Sequence, residues 1–261
     1  MNKTFKFWGS LFILASLLTI LSPWIALEFG DGFKSEAMAF SCGGPLGFGY
    51  DYIGRPVFPQ LLSGGRDLLL ASVLTALLSR ILGFGLGTLL AYKEEKPGFL
   101  RFCLDVVLVL PSAVVSLASY QAFKGSVYAI VPIACVLTLP FSSRYYAKLI
   151  RPVLQSGFFT YATLRESSPI RLVLGEILPV LSKNILTDLS QAFISSIYML
   201  SSISFLGSSA GQGRFLWPQM LAANLSGFAL NPWACLAPLI AILSLTVPLG
   251  NCVDALERRA V

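Results

Sequence analysis

The chain has 261 residues, of which 55% are hydrophobic and 12% are charged, and its mean hydropathy is +0.74. A water-soluble domain carries about twice that share of charged residues, so the composition excludes a soluble globular protein and favours a membrane protein. The net charge of +6 comes from basic residues between apolar runs, which indicates topology signals rather than nucleic-acid binding. Histidine is absent, which removes the commonest general base and metal ligand, and we predict neither a catalytic nor a metal site.

A membrane-spanning helix needs about 20 mainly apolar residues, and six segments of the chain meet this requirement. They are residues 8–27, 68–92, 102–123, 125–143, 189–207 and 232–253. The first is longer than the apolar part of a signal peptide, and no clear cleavage site follows it, so we predict an uncleaved span. A shorter apolar stretch, 215–230, contains Gly, Pro and Asn and is predicted to be a re-entrant or surface segment. We therefore expect an all-α membrane protein, with residues 1–261 forming one transmembrane domain.

The distribution of lysine and arginine predicts the orientation of the spans. With the N-terminus in the cytoplasm, 13 basic residues fall in cytoplasmic segments and 5 fall in extracytoplasmic segments. This bias follows the positive-inside rule and predicts that both termini are cytoplasmic.

The cytoplasmic connection, at about residues 144–188, carries six basic residues but is too apolar for a solvated linker. It is predicted to form a short amphipathic helix pair that breaks at Ser167–Pro169, because proline disfavours helix at the residue before it. The apolar face of such a pair either docks on another protein or lies on the anionic inner leaflet. The residues alone leave these two interpretations open.

Three charged residues lie inside or at the border of the predicted spans, where a charge is costly and usually has a function. Arg80 is near the middle of the second span, and it either lines a substrate path or extends to the membrane surface. Asp105 is near the cytoplasmic end of the third span, where we expect it to hold helices or loops in register. Asp188 begins the fifth span, where an acidic residue suits the positive end of a helix.

The chain contains no phosphate-binding loop of the form G-x-x-x-x-G-K-[ST]. The glycines of Gly83–Gly87 lie within the second span, and we expect them to allow close helix packing. If the protein uses ATP, another chain must therefore supply the ATPase. An ion-gradient-driven secondary transporter would need buried acidic residues and usually internal repeats, and a lipid-modifying enzyme would need a catalytic cluster. The chain shows neither pattern.

Six motifs in order resemble those of a known family. The matching segments are Gly49–Val57 (L-G-T-D-x-x-G-R-D-V in the family), Leu104–Ser112 (D-V-L-L-A-F-P-S), Arg144–Arg151 (Y-A-R-L-V-R), Ile203–Gly207 (S-L-S-F-L-G), Trp217–Leu221 (W-G-x-M-L) and Leu249–Arg258 (L-G-D-x-L-R-D-x-L-D-P). The chain resembles the inner-membrane permeases of the dipeptide, oligopeptide and nickel class of ABC importers, and in particular the second permease of the pair. The resemblance runs from about residue 48 to 259.

The resemblance implies an ABC importer type I-like permease fold that moves peptides or nickel and metal-chelate complexes by alternating access. It implies a heterodimer with a second permease, two ABC ATPase subunits and an extracytoplasmic solute-binding protein, which would face the extracytoplasmic loop and Trp217–Met220. ATP and Mg would bind to the ATPase subunits, and no cofactor or nucleic acid is expected on this chain.

The resemblance also identifies the cytoplasmic connection, about residues 147–183, as the family's coupling loop of the form E-A-A-x-x-x-G followed by I-L-P. The residues implied in coupling to the ATPase are Thr160, Tyr161, Ala162, Thr163, Leu164, Glu166, Ser168, Arg171 and Pro179. Thr160 replaces the family's Glu, and Glu166 replaces its Gly. We therefore expect Glu166 to turn the chain with a negative φ or at some strain.

Overall fold

The computed structural model describes residues 3–26, 34–35, 37–92, 98–165, 168–207 and 216–257. Within these ranges the chain is helical and has no β-strand. The helices are α1 (Lys3–Ala26), α2 (Val57–Tyr92), α3 (Phe99–Val109), α4 (Ser112–Ala122), α5 (Val127–Leu154), α6 (Gly157–Arg165), α7 (Pro169–Leu172), α8 (Leu178–Leu206), α9 (Trp217–Asn224) and α10 (Trp233–Glu257). A π-helical turn, Val173–Ile177, joins α7 to α8.

Five helices of the described chain are long and apolar enough to cross a membrane, and α3 with α4 forms a sixth candidate span. These two helices meet at an angle of 79°. The break follows from Pro111, which lacks an N–H and forces Leu110 into an extended conformation. The predicted all-α architecture with six spans is confirmed, but the third span is broken rather than continuous.

Several helices extend well beyond the predicted spans. Helix α2 begins at Val57 instead of residue 68, α5 continues to Leu154 instead of ending at 143, and α8 begins at Leu178 instead of 189. Hydropathy marks only the part of a helix that lipid surrounds, whereas backbone hydrogen bonding continues into water. At 1.5 Å per residue, α2 is about 54 Å long, which exceeds the hydrocarbon thickness of about 30 Å.

In the stretch predicted as a re-entrant or surface segment, residues Trp217–Asn224 form helix α9, which packs inside the fold. Trp217 and Met220 of α9 are buried, and the Trp217 indole donates a hydrogen bond to the Leu61 carbonyl at 2.7 Å. Trp217 also packs against Gly65 of α2. These two α9 side chains therefore contact the chain itself rather than forming an outer surface.

The loop before α2 is held by a buried carboxylate. Asp51 accepts hydrogen bonds from the backbone N–H groups of Ile53 and Arg55, from Arg55 Nε at 2.8 Å and from Gln60 Nε2 at 3.1 Å. A buried acid with this many donors is well compensated, so it can fix a loop rather than destabilise it. Asn231 donates further hydrogen bonds to loop carbonyls. The motif around Asp51 thus closes the extracytoplasmic end of the bundle on the predicted orientation.

The most extensive helix contact is that of α2 with α5, and two glycines of α2 let the backbones approach. A Cβ on Gly87 would lie 2.6 Å from Tyr146 Cβ and 2.8 Å from the Ser143 carbonyl oxygen, and a Cβ on Gly83 would collide with Ser142. A Cβ on Gly85 would meet no atom within 4 Å. The expected role of this glycine segment in close helix packing is confirmed for the two glycines that face α5.

We expect Gly87→Ala to destabilise the protein and Gly85→Ala to leave it unchanged or slightly more stable. The first change overpacks a contact that includes backbone, at a cost of about 1–3 kcal/mol. The second gains up to about 1 kcal/mol of helix propensity and meets no neighbour. Thermal unfolding of the two purified variants in detergent is the measurement, and equal melting temperatures would contradict this account of the α2–α5 contact.

Candidate functional site

Helix α6 of the predicted coupling loop has one face packed on the bundle and one face exposed. Phe159 and Ala162, three residues apart, join a buried cluster with side chains of α2, α5, α7 and α8. Tyr161 and Leu164 are 70% and 83% exposed. Such exposure of two large apolar groups on a helix end outside the predicted spans is typical of a contact surface.

The exposed face of α6 continues into a cleft. Phe158, Tyr161 and Ala162 form one wall, and the other consists of residues from α7 and the π-helical turn: Arg171, Leu172, Leu174, Gly175 and Glu176. The cleft has a volume of about 680 Å³. It combines apolar walls with one basic and one acidic side chain, as a protein-binding groove does.

The remaining predicted coupling residues lie on the same part of the chain. Thr160 and Thr163 are exposed on α6, and Ser168 immediately precedes α7. Pro179 is exposed in the first turn of α8. Proline cannot donate a hydrogen bond to the carbonyl four residues earlier, and the π-helical turn ends just before it. Glu166 lies outside the described residues, so its turn geometry stays a prediction.

The structure changes the interpretation of Ala162. Ala162 is one of the residues implied in coupling to the ATPase, but its side chain is only 6% exposed and packs in the buried cluster, so it meets the cleft only at its edge. Ala162 anchors α6 to the bundle, because its side chain packs in the buried cluster. Tyr161 and Leu164 lie on the exposed face of the same helix. A large residue at position 162 would disturb the fold before it disturbed a partner.

Arg80, Asp188 and Tyr146 meet between three helices. Arg80 Nε lies 2.7 Å from Asp188 Oδ2, and the Tyr146 hydroxyl donates a hydrogen bond of 2.7 Å to the same oxygen. Asp188 therefore joins α8 to both α2 and α5. It lies ten residues inside α8 rather than at a helix N-terminus, so the predicted interaction with the helix dipole is wrong.

This triad lies towards the α6 end of the membrane-spanning part of the bundle, at the level of Tyr146 on α5. On α2, Arg80 is about 20 Å from Asp67, whose carboxylate accepts a hydrogen bond from Tyr128 at the opposite end, which the predicted orientation places outside the cytoplasm. The side chains of Arg80 and Asp188 are 17% and 14% exposed. Because both charges are largely removed from water, each depends on the other to offset its desolvation cost.

Asp105 of α3 pairs with Arg144 of α5 at the same end of the bundle as α6. Both side chains are about half exposed, so this ion pair contributes little to stability. It does connect the first half of the broken span to α5. The triad and this pair are separate, and the structure does not bring Asp105 together with Arg80 or Asp188.

Sequence reasoning treated Arg80 and Asp188 separately and missed Tyr146 and Asp51. In the sequence, nothing distinguishes Tyr146 from the other tyrosines in or near the predicted spans. Only the packing of α5 against α8 shows that its hydroxyl reaches Asp188. Asp51 was part of a matched motif, and a carboxylate followed four residues later by an arginine was the available signal for a local ion pair.

Comparison with known proteins agrees with this architecture. The family model described as "Binding-protein-dependent transport system inner membrane component" matches residues 82–261, from within α2 to the C-terminal residue. The chain is 25% identical over 233 residues to a probable D,D-dipeptide transport system permease of Escherichia coli K12, covering 88% of this chain and 78% of the relative. It is 25% identical over 263 residues to a di/tripeptide transport system permease of Pseudomonas aeruginosa, covering 95% and 86%. A peptide transport system permease of Haemophilus influenzae is 24% identical over 197 residues, covering 75% and 67%.

We expect Asp188→Asn to destabilise the protein by about 3 kcal/mol, because it leaves the Arg80 guanidinium without a counter-charge. The double variant Arg80→Met with Asp188→Asn removes both charges and should unfold closer to the wild type than Arg80→Met or Asp188→Asn alone. A double-mutant cycle of melting temperatures measures the coupling. Single variants whose effects simply add would show that the ion pair carries no interaction energy.

Proposed function

The chain belongs to the family of binding-protein-dependent transport system inner membrane components, and from this premise we propose that it carries short peptides. It is a multi-pass permease of the inner membrane in an ABC importer. The proposal of peptides rests on its relatives, which are named as dipeptide, di/tripeptide and peptide permeases. Nickel and metal-chelate complexes, which the sequence also led us to expect, have no such support.

We propose that the ATPase docks on the exposed face of α6 and the adjoining cleft. The observation that carries this proposal is the exposure of Tyr161 and Leu164 beside a groove at one end of the bundle. Docking on protein is favoured over lying on lipid because Phe159 and Ala162, also apolar, already bury the opposite face of α6 in the chain. The exposed face thus points away from the bundle.

The complete importer would contain further chains. Membership of the family implies an ATPase and a solute-binding protein, and we propose two ATPase subunits with ATP and Mg, and a second permease as heterodimer partner. ATP hydrolysis would then belong to the partner, since this chain has no phosphate-binding loop. The exposed apolar residues along α1 and α2 are available for lipid and for the second permease.

The proposed mechanism is alternating access. Closure of the ATPases on ATP would move α6, and the packed cluster between α6 and α8 would pass this displacement to the bundle as a rigid unit. Peptide released by the binding protein would cross between this permease and its partner. In this mechanism α6 is the element whose position ATP biases, as coupling between distant sites requires.

Uptake by the assembled importer tests the proposed function. Cells that lack the chain and regain it on a plasmid should take up a labelled dipeptide, and ATP depletion should stop this uptake while an uncoupler alone should not. Uptake that follows the ion gradient and survives ATP depletion would instead support a secondary transporter. Uptake of nickel without peptide would contradict the proposed substrate.

We expect Leu164→Arg to abolish peptide-stimulated ATP hydrolysis while the membrane domain stays folded. Leu164 is 83% exposed, so arginine is accommodated in the isolated chain but places an unpaired charge in the proposed interface. ATP hydrolysis and peptide uptake by the reconstituted complex are the measurements, with the melting temperature as a check on folding.

Leu164→Met is the matched control, because methionine keeps an apolar side chain of similar volume. It should retain coupled hydrolysis. Full coupling in the arginine variant would exclude the outer face of α6 as the docking surface. Ala162→Arg is unsuitable as a test, since the buried position predicts a folding defect instead.

A further inference from the structure

A second cleft lies between the end of α2, the start of α3 and the last turns of α5. It has a volume of about 400 Å³ and is lined by Leu90, Arg101, Leu104, Asp105, Arg144, Ala147, Lys148 and Arg151. Four of these residues are basic and one is acidic, so the lining carries a net charge of about +3 at pH 7. The cleft is separate from the α6 groove and serves no role in the function proposed above.

Helix geometry explains the concentration of positive charge. Arg144, Lys148 and Arg151 are four and three residues apart, so they form one stripe along α5. Arg101 of α3 faces this stripe across the cleft. The intervening segment 93–97 contributes no net charge, because its two lysines accompany two glutamates.

The charges are partly engaged within the chain. Asp105 neutralises Arg144, and Arg101 and Arg151 also have interactions of their own. Lys148 is exposed and pairs with none of the acids that the structure describes. Among the described residues the cleft therefore offers an unpaired ammonium group with guanidinium groups around it, an arrangement that suits a phosphate.

The depth of the cleft matches the headgroup region of the membrane. Along α5, Arg144 is about 26 Å and Arg151 about 36 Å from Val127, the first residue of the helix. With a hydrocarbon core of about 30 Å beginning near Val127, the stripe falls at the opposite headgroup level. The positive-inside bias predicts that this is the inner leaflet.

Apolar surface borders the cleft on its membrane side. Phe141 lies three residues before Arg144 on α5 and is exposed, and Leu108 lies three residues after Asp105 on α3 and is also exposed. Leu90, Leu104 and Ala147 form a buried apolar floor between the three helices. A ligand that has an anionic head and an apolar body would satisfy both parts of this surface.

We propose that this cleft binds the phosphodiester headgroup of an anionic phospholipid, with Lys148 as a direct contact. Basic pockets between membrane helices are a recognised means of binding such headgroups. A lipid is favoured over free phosphate because the cleft opens beside exposed apolar residues at membrane depth.

Native mass spectrometry of the full-length purified permease tests the site. The probes are phosphatidylglycerol, cardiolipin and phosphatidylcholine, each titrated against the wild type and Lys148→Gln. We expect the wild type to retain an anionic lipid in preference to phosphatidylcholine, and the variant to bind phosphatidylglycerol about fivefold more weakly, as the loss of one interfacial charge predicts.

Lys183→Gln is the matched control. Lys183 is an exposed lysine on α8, predicted to be cytoplasmic, and it is not part of the cleft lining. Its replacement should leave phosphatidylglycerol affinity unchanged. Equal weakening by both variants would show only general attraction to charged lipid and would overturn the proposal.

Two further results distinguish the source of the anion. Inorganic phosphate that displaces phosphatidylglycerol completely would assign the cleft to a soluble anion and overturn the lipid assignment. Lys148→Gln that binds lipid normally but loses the ATPase would assign it to a protein interface instead. Since lipid binding is measured on the permease alone, its failure would leave the peptide proposal unaffected.

Discussion

The close contact between α2 and α5 is the constraint on which the rest of this bundle depends. Lipid tails are as apolar as leucine, so association of the two helices relies on van der Waals contact and interhelical polar contacts. Gly83 and Gly87 allow the backbones to approach, and Gly85 between them faces away from α5. This register decides which face of α5 meets α2. It directs Tyr146 towards Arg80 and Asp188. The basic stripe of α5, which includes Lys148, lines a different cleft.

The ion pair of Arg80 and Asp188 adds a polar contact between α8 and the α2–α5 pair. Hydrophobic residues of the same size could replace an isolated ion pair without loss of stability, so stability alone does not explain a charged pair in a membrane span. Its geometry offers a better reason, because Asp188 contacts α2 through Arg80 and α5 through Tyr146. An apolar contact tolerates sliding between helices, whereas a shared carboxylate oxygen fixes their relative position. The triad thus specifies how α8 sits on the α2–α5 pair.

The sequence predicted those features of the fold that depend on a single local property, such as the apolar length of a segment. Apolar length identified the spans, and Gly83 and Gly87 indicated close packing before the structure located their partners. Helix ends were missed, as at Val57 and Leu178, because hydropathy stops at the lipid boundary and backbone hydrogen bonding does not. The triad could not be predicted, because it depends on the register between helices that are more than 40 residues apart. The buried side of Ala162 was missed for the same reason, since a short helix has apolar residues on both faces.

The connection between α6 and α8 brings these features together under the proposed function. Phe159 and Ala162 pack in one cluster with Leu172, Ile177 and Leu181, so α6 and the start of α8 share a single buried core. Ten residues further along α8, Asp188 is tied to Arg80. A displacement of α6 by an ATPase therefore reaches α2 through side chains that are packed or paired at each step. On this route the π-helical turn at Val173–Ile177 joins α7 to α8 and departs from regular α-helical hydrogen bonding. Sharp helix kinks occur at such π-bulges, and here the turn is packed into the shared core by Ile177, which favours transmission of the displacement as one unit.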